Sequence, residues 1–194
     1  TPGPDDWPRW SHRSDRIAFR GAYHANDWFQ TRPLMVVSVT GGPVLDLTSA
    51  LDTWMAYDIA NTYTTSGALW SPDDRILYKT FERRAANFLA QVPSDGSGPA
   101  GELRGGDRVT DLLRLTRAGD RIFFAEGDAT HLHDIHTLPL DALGGSAKSG
   151  EQSRRLTALG ERFLAARTIV APERVSARNR SGQEVEGFLY PPTG

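Results

Sequence analysis

The chain has 194 residues, of which 39% are hydrophobic and 24% are charged, and its formal net charge at pH 7 is −2. This composition is typical of a globular domain with a buried core and argues against a disordered chain. The near-neutral charge gives no electrostatic basis for binding nucleic acid or an anionic membrane surface. Cysteine is absent, which excludes disulfide bonds, thiol catalysis and thiolate metal sites.

The sequence also predicts no membrane segment and no secretion signal. A run of about 18 apolar residues, which a membrane-spanning helix requires, does not occur. Residues 1–6 have neither the basic nor the apolar region of a signal peptide. We interpret the start without methionine as a mature or excised terminus. The compartment is left open, with the cytoplasm favoured.

Three segments of the chain resemble one another, at residues 10–19, 70–78 and 115–124. Each contains an apolar residue, Ser or Thr, a polar turn and then Asp-Arg-Ile-x-aromatic, and the second turn is read as one residue shorter. This alignment places three arginines at equivalent positions, at spacings of 59 and 46 residues: Arg16, Arg75 and Arg121. The turn residues favour tight turns and the alternating apolar residues favour strands, so each segment predicts a β-hairpin.

Further strand-like runs follow each hairpin, at residues 34–39, 88–92 and 135–140. Small polar turns come next, and then Leu47-Thr48 and Leu156-Thr157, which match each other and suit a fourth strand. Helical structure is expected only as a turn or two within residues 159–170, because the strand pattern dominates elsewhere.

Units of about four strands that repeat at this spacing predict an all-β fold, a partial β-propeller of about three four-stranded blades. The blades are expected roughly at residues 1–50, 66–106 and 107–160. A β-sandwich with accidental internal similarity is the alternative. Propellers typically close with at least four blades. We therefore expect the chain to belong to a longer polypeptide, or to assemble with another copy as a homo-oligomer or with another chain.

The tail of the chain does not contain the repeat. Residues 172–192 predict a strand, a turn at residues 179–182, and a second strand with alternate apolar residues on one face. Pro191-Pro192 ends this second strand, because neither proline offers an amide donor. We place a domain boundary near residue 171.

Three stretches of the sequence resemble the prolyl oligopeptidase family of serine peptidases, in particular its acylaminoacyl-peptidase and dipeptidyl-peptidase-like branch. They are the hairpin Trp-Ser-Pro-Asp-Asp-Arg-Ile at residues 70–76, the blade end Arg-Leu-Thr-Ala-Leu at residues 155–159, and the tail at residues 172–192 with its Gly-Phe-Leu-Tyr strand. TolB-like propellers share the blade motif, whereas the blade end followed by the tail hairpin is more specific. The resemblance implies that residues 1–171 are a partial β-propeller and that residues 172–194 are the first hairpin of an α/β-hydrolase domain.

The resemblance also implies a function for the whole protein. It is expected to be a serine peptidase that hydrolyses short peptides or acylated N-termini, with the propeller admitting only small substrates. In the family the catalytic Ser, Asp and His follow the hairpin, so no catalytic residue, metal ligand or cofactor is expected within this chain. The expected partners are a peptide substrate and the rest of the same polypeptide. The alternative is a non-catalytic, TolB-like propeller that binds other proteins.

No segment of the chain has the Gly-x-Ser-x-Gly pattern of a hydrolase nucleophile. Ser146 is the nearest approach, but Lys148 stands where the second glycine belongs, and the surroundings predict a loop. We therefore interpret Ser146 as part of a solvated blade loop.

Three histidines lie close together in the third unit: His131, His133 and His136. On a strand, His131 and His133 share one face, where they and a carboxylate from Asp128 or Asp134 suit a zinc ion. The interpretation that we favour is a polar, half-exposed strand without metal.

The tryptophans are expected to divide between core and surface. Trp10 and Trp70 are predicted to pack between blades, whereas Trp28 and Trp54 fall in loops and are candidates for contact with a substrate or with a further domain. Members of the dipeptidyl-peptidase branch bind a substrate amino terminus with two adjacent glutamates, and no such pair occurs here. The sequence assigns no substrate-binding residue.

Overall fold

The computed structural model describes residues 1–27, 30–51, 53–56, 67–140 and 153–192. Strands account for most of the regular structure. The helix α1 (Glu161–Leu164) makes a single turn, as expected for this part of the chain, and Ser49–Leu51 forms a short 3-10 turn. In the part of the chain that the structure describes, no helix is long and apolar enough for a bilayer crossing.

Three antiparallel four-stranded sheets, here called blades 1 to 3, follow one another along the chain, and in each the neighbouring strands are consecutive in sequence. Blade 1 contains β1 (Asp6–Trp10), β2 (Arg16–Arg20), β3 (Leu34–Ser38) and β4 (Leu45–Asp46). Blade 2 contains β5 (Leu69–Trp70), β6 (Ile76–Arg83), β7 (Ala86–Pro93) and β8 (Gly101–Arg104). Blade 3 contains β9 (Val109–Leu115), β10 (Arg121–Gly127), β11 (Asp134–Pro139) and β12 (Arg154–Arg155). The predicted all-β partial propeller is confirmed.

The blades pack against one another through two apolar cores. Leu77 and Phe81 lie in the core between blades 1 and 2, whereas Tyr78 and Leu89 lie in the core between blades 2 and 3. Successive strand residues point to opposite faces, so Leu77 and Tyr78 enter different cores, and both are 0% exposed. Blade 2 is thus covered on both faces, and residues 77–81 of β6 and residues 87–90 of β7 are all buried, although some of them are polar.

The turns of the three blade hairpins have the same length. In each turn the amide of the Ser or Thr donates to the carbonyl five residues later, and these pairs are Ser11 to Arg16, Ser71 to Ile76 and Thr116 to Arg121. Ile76 is therefore the equivalent of the two arginines, and the alignment that matched Arg75 with them is wrong. The sequence similarity gave the wrong alignment because the carboxylate that accepts the hydrogen bond of the turn hydroxyl lies two residues after Ser71 but four residues after Ser11.

Trp10 is 59% exposed, so the prediction that it packs between blades is wrong, whereas Trp70 is 5% exposed as predicted. Trp70 packs on blade 1, where its Nε1 donates to the Arg9 carbonyl at 3.0 Å and the Arg16 guanidinium lies 5.0 Å from its ring. Trp10 pairs with Ile17 and therefore lies on the face of blade 1 opposite to the core residue Ala18. Trp7 enters the core instead, because a β-bulge in β1 shifts the register beside it.

We expect Gly119→Ala to lower the free energy of unfolding by about 2 kcal/mol, because it adds both backbone strain and a clash. Gly119 has a φ of 74°, and a Cβ there would lie 2.6 Å from Cδ of Pro72 in the turn of blade 2. Urea denaturation measures the loss. Gly182→Ala is the matched control, since Gly182 has a φ of 81° with nothing within 4 Å of a Cβ. Gly182→Ala should lower the free energy of unfolding only by the backbone strain, about 1 kcal/mol. Equal losses in the two variants would contradict the contact between the turns of blades 2 and 3.

Candidate functional site

The two ends of the blades carry different structures. The connections from β6 to β7, from β8 to β9 and from β10 to β11 lie at what we call the hairpin end. The turns from β1 to β2, from β5 to β6 and from β9 to β10 lie at the far end, which is about 20 Å away along the seven residues of β9. The tail forms an antiparallel ribbon, β13 (Glu173–Arg178) and β14 (Glu184–Leu189), whose ion pairs place it at the hairpin end.

Charged side chains hold one face of this tail hairpin against blades 2 and 3. Arg84, in the turn after β6, donates to Glu184 at 3.2 Å and to Glu186 at 3.3 Å. Arg174 pairs with Glu186 at 3.3 Å and with Asp107, which lies between β8 and β9. These groups share a face of the ribbon because alternate residues of a strand point the same way. The propeller-facing side of the hairpin therefore carries these ion pairs, with Phe188 on the same face.

The opposite face of the tail hairpin is apolar and uncovered. Val175, Val185 and Leu189 are 42%, 52% and 54% exposed, and the pairing of Ala177 with Val185 places them on the face away from the charged residues. A two-stranded ribbon is marginally stable alone and normally buries its apolar face against another layer. This face is available to such a layer.

A cavity of about 260 Å³ lies between the tail hairpin and blades 2 and 3. Pro172, Phe188 and Tyr190 form its wall on the hairpin side, and Arg108 and His133 line it from the propeller. His133 Nε2 and Arg108 Nε are buried without a hydrogen-bond partner. The cavity is thus lined by apolar residues of the hairpin and by polar residues of the propeller.

A buried carboxylate connects blades 2 and 3 beside this cavity. Glu126 in β10 is 6% exposed and accepts two hydrogen bonds from Arg104 in β8, at 2.8 and 2.7 Å, and one from Arg108 at 3.0 Å. Burial alone would raise the pKa of Glu126, but the hydrogen bonds and charges of Arg104 and Arg108 hold that pKa below its ordinary value. The carboxylate is therefore ionised and acts as a clamp between the blades.

The predicted histidine cluster does not form a metal site. His131 and His133 precede β11, because Asp128 accepts hydrogen bonds from the amides of Thr130 and His131 and closes a turn there. The prediction that these two histidines share a strand face is wrong. Burial would raise the pKa of Asp128, but the amide and hydroxyl of Thr130 and the ring of His131 outweigh it and lower the pKa to about 2. Within the described residues no three His, Cys, Asp or Glu side chains converge.

The other members of the stretch have structural partners. His136 stacks on Phe124, with ring centroids 5.8 Å apart. Asp134 is 4% exposed and accepts hydrogen bonds from Arg155 at 2.8 Å and from Thr157 at 2.7 Å, which ties β11 to the blade end. Burial lowers the pKa of His133 and of His136, so both are neutral near pH 7. The stretch stabilises blade 3 and brings one neutral histidine, His133, to the cavity.

Three residues from the sequence analysis do not join this site. Ser146 and Trp28 lie outside the described residues. Trp54 is half-buried, and its carbonyl accepts the amide of Glu82 at 2.8 Å. The ion pairs between the tail hairpin and the propeller were not predicted, because they join residues 67 to 102 positions apart and no local pattern marks them.

We expect Arg84→Ala to loosen the tail hairpin and to raise the hydrogen-exchange rates of its amides about 5-fold. The reason is that two exposed ion pairs contribute about 1 kcal/mol together. Exchange of the peptide 173–189, followed by mass spectrometry, measures the change. High salt should produce a similar increase in the unmodified chain. Arg75→Ala removes an exposed arginine at the far end and should leave the hairpin unchanged. Unaltered exchange in Arg84→Ala would contradict ionic docking.

Comparison with known proteins gives a fold. No protein-family model matches the sequence, and no curated protein matches it. Among solved structures, Pyrococcus horikoshii acylaminoacyl peptidase matches with a TM-score of 0.64 and 15% identity. The match covers 90% of this chain and 23% of the peptidase, so the chain spans less than a quarter of that protein's length.

Two other solved structures show the same fold. The β-propeller domain of the Trilobed protease from Pyrococcus furiosus matches with a TM-score of 0.52 and 14% identity, over 75% of this chain and 37% of that one. TolB from Acinetobacter baumannii matches with a TM-score of 0.55 and 12% identity, over 95% of this chain and 40% of that one. Peptidase propellers and TolB propellers are thus similar to this chain to a comparable degree, and the likeness shows the propeller fold.

Proposed function

We propose that the chain is the substrate-gating propeller portion of a serine peptidase of the prolyl oligopeptidase family. This peptidase hydrolyses short peptides or acylated N-termini, and residues 172–194 begin its α/β-hydrolase domain. The catalytic serine, histidine and carboxylate lie outside the 194 residues, and the remaining blades belong to the same polypeptide.

The observation that supports this proposal most is the orientation of the tail hairpin. Its charged face is paired with Arg84 and Asp107 of the propeller, while its apolar face, with Val185 and Leu189, is exposed. A hairpin held in this way presents an apolar surface on the side away from the blades, where a further layer of sheet and helices buries it. A propeller that only binds other proteins has no need of such a ribbon.

The chemistry of such a peptidase is divided between its parts. The serine attacks the scissile carbonyl, the histidine acts as base, and the carboxylate orients the histidine. The propeller covers the hairpin end, where the hydrolase domain packs, and only peptides small enough to enter between the two parts are cleaved. We propose that the cavity lined by His133 and Arg108 lies on this route.

The second candidate function is a non-catalytic module for protein contact, and the match to TolB over 95% of this chain favours it. The reading frame downstream of residue 194 distinguishes the two functions. We expect it to continue and to encode a Gly-x-Ser-x-Gly segment followed by an Asp and a His, in the chain order of α/β-hydrolases. A stop codon soon after residue 194 would contradict the peptidase and leave the binding module.

A further inference from the structure

A groove of about 300 Å³ opens at the far end of the propeller, between the first strands of the blades and the turns that follow them. Four basic residues line it: Arg9, His12, Arg114 and Arg117. Trp10, which is 59% exposed, and the half-buried Leu115 add an apolar surface. The tail hairpin and its cavity lie at the other end of the blades, so the groove is a separate surface.

The ionisable side chains that line this groove are all basic. None of the described residues that line it is acidic. Arg114 donates to the neighbouring carbonyl of Leu113 at 2.8 Å, and within the described part of the chain neither Arg114 nor Arg117 has an ion pair. Among the acidic residues of the adjoining turns, Asp15, Asp73 and Asp120 each accept a hydrogen bond from a hydroxyl of their own turn. The buried Asp74 accepts the amide of His12 at 2.8 Å and lies 2.9 Å from Nδ1 of its ring.

We propose that this groove, here called the far-end groove, binds an acidic peptide segment that carries two or more side-chain carboxylates. Arg114 and Arg117 of blade 3 are both exposed, whereas the His12 ring of blade 1 already faces Asp74 at 2.9 Å. A single terminal carboxylate pairs with one of these two guanidinium groups, whereas a run of Asp or Glu pairs with both. Guanidinium groups bind carboxylates through charge-assisted hydrogen bonds, and the apolar surface accommodates the side-chain stems. This inference does not depend on the proposed peptidase function.

Fluorescence anisotropy with a dye-labelled acetyl-hexaglutamate amide tests the far-end groove on the 194-residue chain. We expect saturable binding that weakens as salt increases, because exposed charges are screened. Arg114→Ala combined with Arg117→Ala should weaken binding about 10-fold, since two charge-assisted contacts are lost. Arg162→Ala combined with Arg180→Ala removes the same charge at exposed positions outside the groove, and it should leave the affinity unchanged.

Several results would overturn the proposal. One is the absence of hexaglutamate binding, and another is an equal loss of affinity in the two double variants. Equal binding of a hexaglutamine peptide with a free carboxyl terminus would show that one terminal carboxylate suffices. If the double variant at residues 114 and 117 does not fold, as judged by circular dichroism, Arg117→Ala alone is used. It lies in a turn and is exposed, and we expect about a 3-fold loss of affinity, with no loss contradicting the proposal.

Discussion

Glu126→Ala is expected to lower the free energy of unfolding by about 3 kcal/mol, the cost of removing one partner from a buried ion pair. Glu126 is 6% exposed and is the common acceptor for Arg104 and Arg108. Without it, the two guanidinium groups keep their positive charges close together in a partly buried site. The loss is measured by urea denaturation of the chain, with circular dichroism as the readout.

A surface ion pair within blade 2 provides the control. Glu102→Ala removes the partner of Arg83, in a pair whose side chains are 40% and 57% exposed. An exposed pair of this kind contributes less than about 1 kcal/mol. If Glu126→Ala and Glu102→Ala had the same small effect, Glu126 would not act as a clamp between blades 2 and 3.

Asp74→Ala is the other substitution with a large expected effect, also about 3 kcal/mol. The Asp74 side chain is fully buried and joins the turn of blade 2 to blade 1, where it accepts the amides of His12 at 2.8 Å and Arg13 at 2.9 Å. Removing it leaves both amides without an acceptor, and alanine is strained at the φ of 61° found here. Asp15→Ala, which removes an exposed carboxylate from the turn of blade 1, should cost much less.

The same residue predicts a dependence of stability on pH. Burial would raise the pKa of Asp74, but the amides of His12 and Arg13 and the His12 ring outweigh it and lower the pKa. A lowered pKa in the folded state means that the stabilisation is complete above the ordinary pKa of aspartate, about 4. It is lost as the pH falls through the lowered value.

Urea denaturation at several pH values checks this expectation. The difference in unfolding free energy between the unmodified chain and Asp74→Ala should be constant near neutral pH and should shrink below about pH 4. Asp74→Asn keeps one oxygen acceptor and tolerates the positive φ. It should therefore lose less stability than Asp74→Ala and should not show this dependence. A difference that stays constant down to low pH would contradict the role of the ionised carboxylate.

The blades could be predicted from the sequence because their signals are local. An apolar residue, a Ser or Thr, a polar turn and a second strand recur in the same order, and the hydrogen bonds that define each turn lie within six residues. The alignment of Arg75 with Arg16 and Arg121 was wrong because the carboxylate that binds the turn hydroxyl, Asp73 or Asp15, does not occupy the same position in the two turns. The amino-acid sequence alone does not show which residue of each turn adopts a positive φ.

Packing between blades and docking of the tail hairpin could not be predicted in the same way. The burial of Trp70 and the exposure of Trp10 depend on whether another blade lies alongside, although the two residues have the same local sequence. The pairing of Arg84 with Glu184 joins distant parts of the chain. The histidines were placed on a strand because the turn made by Asp128 depends on its side-chain hydrogen bonds, which a polar-apolar pattern does not reveal.

Labelling with a serine-directed fluorophosphonate tests most directly the claim that this chain is the gate of a catalytic centre located elsewhere. The full-length polypeptide encoded by the gene and the 194-residue chain are treated side by side, and the labelled peptide is identified by mass spectrometry. We expect stoichiometric label on one serine beyond residue 194 in the full-length protein and none on the 194-residue chain. Label on a serine within residues 1–194, or a full-length protein that takes up no label, would contradict the proposed function.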